Sequence, residues 1–261
     1  MPATDELLVA DEDHVRTLTL NRPARSNALS RSLIAALVEQ LLLAAEDPDV
    51  RVIIITGAGD GAFCGGLDLK ELTDGDDAGV RFRDPMNRPT RGCFEVLSET
   101  YKPTIAAING HAVAGGFELA LACDLRIAAE NAHLGLPEAK RGMGANFGSV
   151  VLPKLIPSAI AFRMLFTGEY ISAAEAERWG LLNAVVPAAE VLPAARTLAA
   201  QIAANAPLSV RRMKEMGSKG RDLPLATALR LDVGPNPYLS EDREEGVRAY
   251  VEKRAPTWKG R

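Results

Sequence analysis

Apolar positions along the chain change their spacing several times, and each change predicts an element. The runs "LLVA" and "HVRTLTLN", separated by the acidic "DED", read as two strands of a hairpin. "SRSLIAALVEQLLLAAED" then carries its apolar residues at helical spacing behind Ser30, a residue suited to capping a helix. "RVIIITG" is a continuous β-branched run ending in glycine, the pattern of a strand covered on both faces. A second such strand, "KPTIAAING", follows a predicted helix around "CFEVLSETY", and a third unit is "DLRIAAENAHLGLPE". Strands alternating with helices predict an α/β core with parallel pairing. From about residue 153 the pattern becomes a succession of amphipathic helices: "IPSAIAFRMLFTG", "SAAEAERWG", "PAARTLAAQIAANA", "PLSVRRMKEMGSKG", "ATALRLDVG" and "SEDREEGVRAYVEKR". Polar, Gly/Pro-punctuated Thr73 to Gly92 reads as the one long loop.

Composition narrows the function classes. The 261 residues are 47% hydrophobic and 25% charged, enough for a large globular core. Lys+Arg 30 against Asp+Glu 34 gives a net charge of −4, which supplies no general field for a phosphate polymer and argues against nucleic acid as partner. Cys64, Cys93 and Cys123 lie far apart without CxxC spacing, so neither a disulfide framework nor a metal site is expected. The start lacks a cationic segment followed by an apolar one, and no run reaches the ~18 apolar residues of a membrane span. The expectation is a cytoplasmic protein that does not enter membranes.

Two predicted strands end in glycine-rich turns, "GAGDGAFCGGLDL" and "NGHAVAGGFEL". Glycine lets backbone approach a ligand closely, and a helix beginning there has N–H groups without internal partners. One amide from each turn, converging on a single oxygen, would make an oxyanion hole. Glu118 lies three residues after Gly115 and projects from the same first turn of the predicted helix. Taken alone it reads equally as a pocket acid or as a carboxylate that merely complements the helix dipole. Glu138 follows "HLGLP", a short strand stopped by Pro137, where open α/β sheets place ligand chemistry. By itself it reads as a surface-loop acid. Together the two form a pair in which one activates water and the other, kept protonated, supplies a proton.

These segments resemble the enoyl-CoA hydratase/isomerase (crotonase) superfamily. "GAFCGGLDLKE" is similar to its A-F-x-A-G-x-D-[IL] segment, and "INGHAVAGGFELALACDLRIAAENAHLGLPE" to its I-N-G-x-A-x-G-G-G-x-E-L-A…C-D…P-E segment. "RPARSNALS" and "TGEYISAAEAERWGLLNAVVP" match two further elements in the correct order, and the likeness runs from about Arg22 to Arg261. The resemblance implies a spiral of ββα units followed by helices that assemble homotrimers, often paired as hexamers. Residues 1–195 are expected to form the acyl-CoA-binding core and 196–261 the C-terminal helical trimerisation region.

By the same resemblance the ligand is an acyl-CoA thioester, with coenzyme A as part of the substrate and no separate cofactor. Glu118 and Glu138 fall on the two catalytic carboxylate positions, and the N–H groups of Leu67 and Gly115 on the oxyanion hole. Ala28, Gly65, Gly66, Asp68, Leu69, Gly116 and Pro137 fall along the substrate path, and Arg25, Lys70 or Lys253 are candidates for the coenzyme phosphates. The implied reaction adds water across the C2–C3 double bond of a trans-2-enoyl-CoA, as in fatty-acid β-oxidation. Having both glutamates favours hydration over isomerisation. "LPEAKRG" and "VEKRAPTWKGR" resemble the crotonobetainyl-CoA (carnitine-type) hydratases in particular, and the loop carrying Arg81, Arg83, Asp84 and Arg88 would suit a polar acyl group. The chain departs from the hydratase pattern at "GMGANFGSV", where Ala145, Asn146 and Phe147 change size and polarity, and at Gly65, which replaces a frequent alanine.

Other classes stay open to test. "GAGDGA" at Gly57 to Ala62 fits a dinucleotide turn only if a helix follows at once, and "FCGG" follows instead. No G-x-S-x-G elbow is present, and His14, His111 and His133 have no evident nucleophile partner, although His111 neighbours the second glycine cluster. A silent acyl-CoA-binding protein would be expected to lose one of the glutamates.

Overall fold

A computed structural model describes residues 5–73 and 91–261. The body of the expected long loop, with Arg81, Arg83, Asp84 and Arg88, lies outside the described residues. The hairpin is β1 (Leu7–Glu12) paired antiparallel with β2 (Val15–Leu20), closed by Asp13 and His14, both at positive φ. Positive φ at both central residues gives the turn a twist that matches the strands. α1 (Arg31–Glu46) starts where Ser30 Oγ accepts the Leu33 N–H, and buries Leu33, Ala36, Leu37, Leu41 and Ala44 along one stripe.

The core then repeats one unit three times. β3 (Val52–Gly57) leads to β4 (Ala62–Cys64), β5 (Thr104–Ile108) to β6 (His111–Val113), and β7 (Leu125–Ala129) to β8 (His133–Gly135). The helices after these pairs are α2 (Leu69–Thr73) with α3 (Cys93–Glu99), then α4 (Gly115–Ala122), then α5 (Asn146–Leu155). The first strand of each pair joins a six-stranded sheet in the order β1-β2-β3-β5-β7-β10, and the second joins a four-stranded sheet in the order β4-β6-β8-β9. Each turn of the spiral therefore crosses from one sheet to the other, as expected for ββα units. β3, β5 and β7 pair in parallel, and Ile53, Ile54 and Ile55 are fully buried. Each such side chain contributes about 1.5–3 kcal/mol of burial.

The remaining elements are α6 (Ser158–Thr167), β9 (Tyr170–Ser172), α7 (Ala173–Arg178), β10 (Ala184–Val186), α8 (Val191–Ala203), α9 (Pro207–Gly220), α10 (Leu225–Ala228) and α11 (Glu241–Glu252). α8 buries Val191, Ala195, Ala199 and Ala203 and packs against β2, β3, β5 and β7. The expected division after residue 195 falls inside this helix. β9 and β10 have no counterpart among the expected strands, and the helix read from "ATALRLDVG" is only Leu225–Ala228.

Candidate active site

Two glycine turns meet between the sheets. Asn109 joins them: its Oδ1 accepts the Gly57 N–H at 3.0 Å and its Nδ2 donates to Gly59 O at 2.8 Å. Asn27, fully buried at φ 52°, donates to Ala58 O and Ala62 O, which explains the asparagine in "SNALS". "GAGDGA" runs into strand β4 rather than a helix, so the dinucleotide reading fails on its own structural condition.

The first amide is left free by a β-bridge. Leu29 N donates to Gly66 O at 2.7 Å and Leu29 O accepts Asp68 N at 3.0 Å. In a parallel bridge the flanking peptides face the partner strand, so the N–H of Leu67 itself points the other way. The second amide, that of Gly115, is oriented by Ala114, at φ 53° and ψ −130°, a conformation costly for a residue with a Cβ. Ala114 reverses the chain after β6 so that Gly115 opens α4 with its N–H outside the helix. Among the described residues neither Leu67 N–H nor Gly115 N–H donates to the protein. A Cβ built on Gly115 would stand 3.6 Å from Leu67 N, and one on Gly66 3.2 Å from Gly115 N, so the two amides are neighbours. Gly66 sits at φ +95°, and a Cβ on Gly116 would overlap the Cys64 carbonyl; both glycines permit this approach.

Both predicted carboxylates line the same cavity, of about 350 Å³, together with Gly65, Leu67, Leu69 and Gly115. Glu118, on α4, is 7% exposed. Its Oε1 accepts the Gly148 N–H at 2.7 Å. Burial pushes its pKa up to about 7 against the pull of the Gly148 N–H, and the charge of Glu138 pushes in the same direction as burial. Glu138 lies on the 3-10 turn Pro137–Arg141 directly after β8. Burial raises its pKa as well, opposed by its own peptide N–H and by Arg141. Its Oε2 is buried without a hydrogen-bond partner among the described residues. Such an oxygen is poorly served as an anion and suits the protonated form.

Other expected site residues take supporting positions. Asp68 is turned into the protein and does not line the cavity: Arg22 pairs with its Oδ2 at 2.8 Å and the Lys70 N–H reaches Oδ1 at 3.2 Å. Burial works against its ionisation, but Arg22, Lys70 N–H and Arg25 together hold its pKa below the usual carboxylate range. Arg22 also donates to the carbonyl of half-buried Ala28, so Arg22, which the sequence reading passed over, fixes the segment beside Leu67. Gly116 and Pro137 are buried supports, while Gly65 N donates to Ser26 O. Arg25 lies 3.5 Å from Asp68, and Lys253 ends α11 at φ 52°. His111 is exposed on β6, accepts the His133 N–H and does not line the cavity. The three cysteines are buried, with thiols raised by burial to about 12, too high for nucleophiles.

The cavity has lining residues that the sequence reading did not assign: Val113, Ala114, Arg141, Gly142, Met143 and Gly144. Asn146, noted only as a departure from the hydratase pattern, also lines it. Most of these fall in "RGMGAN", within or beside the segment that broke the pattern, which was the available signal.

The sequence and the fold are similar to those of known proteins. The family model for enoyl-CoA hydratase/isomerase matches residues 10–261. A carnitinyl-CoA dehydratase from Salmonella typhi is 42% identical over 254 residues, 94% of each chain. The structure superposes on an enoyl-CoA hydratase from Bacillus anthracis with a TM-score of 0.90 at 39% identity, covering 98% of this chain and 100% of that one. An enoyl-CoA hydratase from Mycobacterium tuberculosis gives 0.88 at 36% identity, covering 99% and 100%. Spiral topology, ordered motifs and full-length similarity agree, and the chain belongs to the enoyl-CoA hydratase/isomerase family.

Proposed function

We propose that this protein is a lyase that adds water across the C2–C3 double bond of a trans-2-enoyl-CoA thioester. The observation that carries the reading is the single cavity lined by Leu67, Gly115, Glu118 and Glu138. The thioester oxygen accepts the Leu67 and Gly115 N–H groups, which stabilise the charge it gains as the enolate forms; each donor of this kind is worth ~10²–10³ in rate. Glu118, whose Oε1 already accepts the Gly148 N–H, orients a water and takes its proton as the oxygen bonds to C3. Glu138 gives a proton to C2. The reverse sequence dehydrates the 3-hydroxyacyl thioester. The addition is redox-neutral, so coenzyme A enters as part of the substrate and no further cofactor is needed.

Glu118→Gln and Glu138→Gln should each lower kcat for crotonyl-CoA hydration by ~10²–10⁴, followed as loss of enoyl absorbance. A wild-type rate in either folded variant would refute the assignment. A carnitine-type acyl group is the second reading, favoured by the 42% identity to carnitinyl-CoA dehydratase.

We further infer that residues 196–261 assemble homotrimers or dimers of trimers. Leu225, Leu229, Tyr238, Leu239, Tyr250 and Val251 are 72–86% exposed, an apolar surface expected to be covered by another copy. Among the described residues no helix is long and apolar enough to cross a membrane. The reaction suits a cytoplasmic place in fatty-acid β-oxidation.

A further inference from the structure

The cavity wall after Glu138 carries a charge that the hydration chemistry does not use. Gly65, Leu67, Leu69, Val113–Gly115 and Glu118 come from the segments around the two free amides; Glu138, Arg141–Gly144 and Asn146 come from the segment after β8. Glu138, which protonates C2, and Arg141 line the same cavity from one short turn, so a group carried on C4 falls within reach of the Arg141 side chain.

Arg141 is exposed, and among the described residues its guanidinium makes no hydrogen bond or ion pair, whereas Arg16, Arg22, Arg126, Arg212 and Arg254 are all tied to carboxylates or carbonyls. Arg141 and Glu138 share the 3-10 turn Pro137–Arg141, where residues three apart eclipse on one edge about 6 Å apart along the axis. Their electrostatic contact appears in the downward pull of Arg141 on the Glu138 proton affinity. An unpartnered guanidinium a few bonds past C3 presents a planar donor fork matched to a carboxylate. The Asn146 amide, from the same segment, can add a donor.

We propose that Arg141 makes this enzyme selective for enoyl-CoA thioesters whose acyl chain bears a carboxylate just beyond C4. The proposal rests on the hydratase reading above. It also bears on the carnitine-type alternative, because a carnitinyl group carries a quaternary ammonium. Among the described residues no aromatic ring lines the cavity, and Arg141 repels that cation.

The test compares three trans-2-enoyl-CoA substrates that differ only in the group on C4: carboxylate (glutaconyl), its neutral isostere isopropyl (5-methylhex-2-enoyl) and trimethylammonium (crotonobetainyl). Wild-type kcat/KM should favour carboxylate over isopropyl by ~10–100-fold, mostly through KM, with trimethylammonium lowest. Arg141→Leu should erase the carboxylate preference, and Arg141→Glu should reverse the order of the two charged substrates. The same ratios should appear with N-acetylcysteamine thioesters, which have no nucleotide phosphates. A wild-type enzyme that hydrates crotonyl-CoA without preferring the carboxylate overturns this proposal alone. So does an Arg141→Leu variant that slows all three substrates in proportion, or a preference lost with the truncated thioesters. Failure to hydrate any enoyl-CoA, crotonyl-CoA included, overturns it together with the hydratase reading.

Discussion

Replacing Glu118 with Gln should lower kcat by ~10²–10⁴ and at the same time stabilise the protein at alkaline pH. In the folded chain the Glu118 pKa stands at about 7, against an ordinary value of 4.5. A carboxyl raised in this way contributes stability that is fully present below 4.5 and is lost as pH rises through 7, because the native state binds the extra proton in that window. Once both states are ionised the cost is about 3 kcal/mol. The substituted amide would keep an oxygen for the Gly148 N–H while removing the buried charge and its repulsion of Glu138. An amide NH₂ left short of acceptors offsets part of the gain, leaving about 2–3 kcal/mol at pH 8. For a chain of this size that corresponds to roughly 4–12 °C in Tm. The assay is thermal unfolding by circular dichroism of wild type and variant at pH 5 and pH 8, at one protein concentration so that assembly contributes equally. A variant no more stable than wild type at pH 8, or equally favoured at pH 5, would refute the argument that burial raises this carboxyl.

Because Glu118 acts in its ionised form, kcat/KM should fall tenfold per pH unit below about 7; a stopped-flow profile flat from pH 5 to 9 would contradict that role. Gly116→Ala forces its methyl group into the Cys64 carbonyl and should part α4 from β4, costing about 1–3 kcal/mol and ~10²–10³ in kcat as the Gly115 amide shifts. Gly61→Ala, with open space around the new Cβ, is the control and should behave as wild type in both denaturation and turnover.

The elements most legible in the sequence were those whose burial is uniform. "VIIIT" could only be a strand covered on both sides, and Ser30 before an apolar stripe fixed the start of α1. β9 and β10, three residues each, are too short to show a period, and they form because β8 and β7 offer open edges for pairing. Asp68 illustrates a different limit of local pattern. Its motif placed it on the substrate path, yet its neighbour in space is Arg22, and the pair faces inward. The neighbouring Leu67 N–H, expected at the oxyanion hole only by resemblance, is free because Leu29 bridges the peptides on either side of it. Arg141 lies within "LPEAKRG", a segment legible only as a family likeness, and nothing local in it shows that the side chain lines the cavity.

By itself the sequence determined the α/β class, the repeated strand-turn-helix units and the types of group available for chemistry: two carboxylates and two glycine-rich turns. These follow from local rules, since burial period, capping and glycine content act within a few residues of one another. Only the tertiary structure decided which groups meet. The turn from β3 and the turn from β5 are distant in sequence, and they come together because the spiral stacks β4 beside β6 and because Gly66 and Gly116 leave room for the approach. The raised pKa of Glu118 has the same origin, for a carboxyl's proton affinity is set by the solvent it loses and the charges it meets, and both belong to the packed molecule.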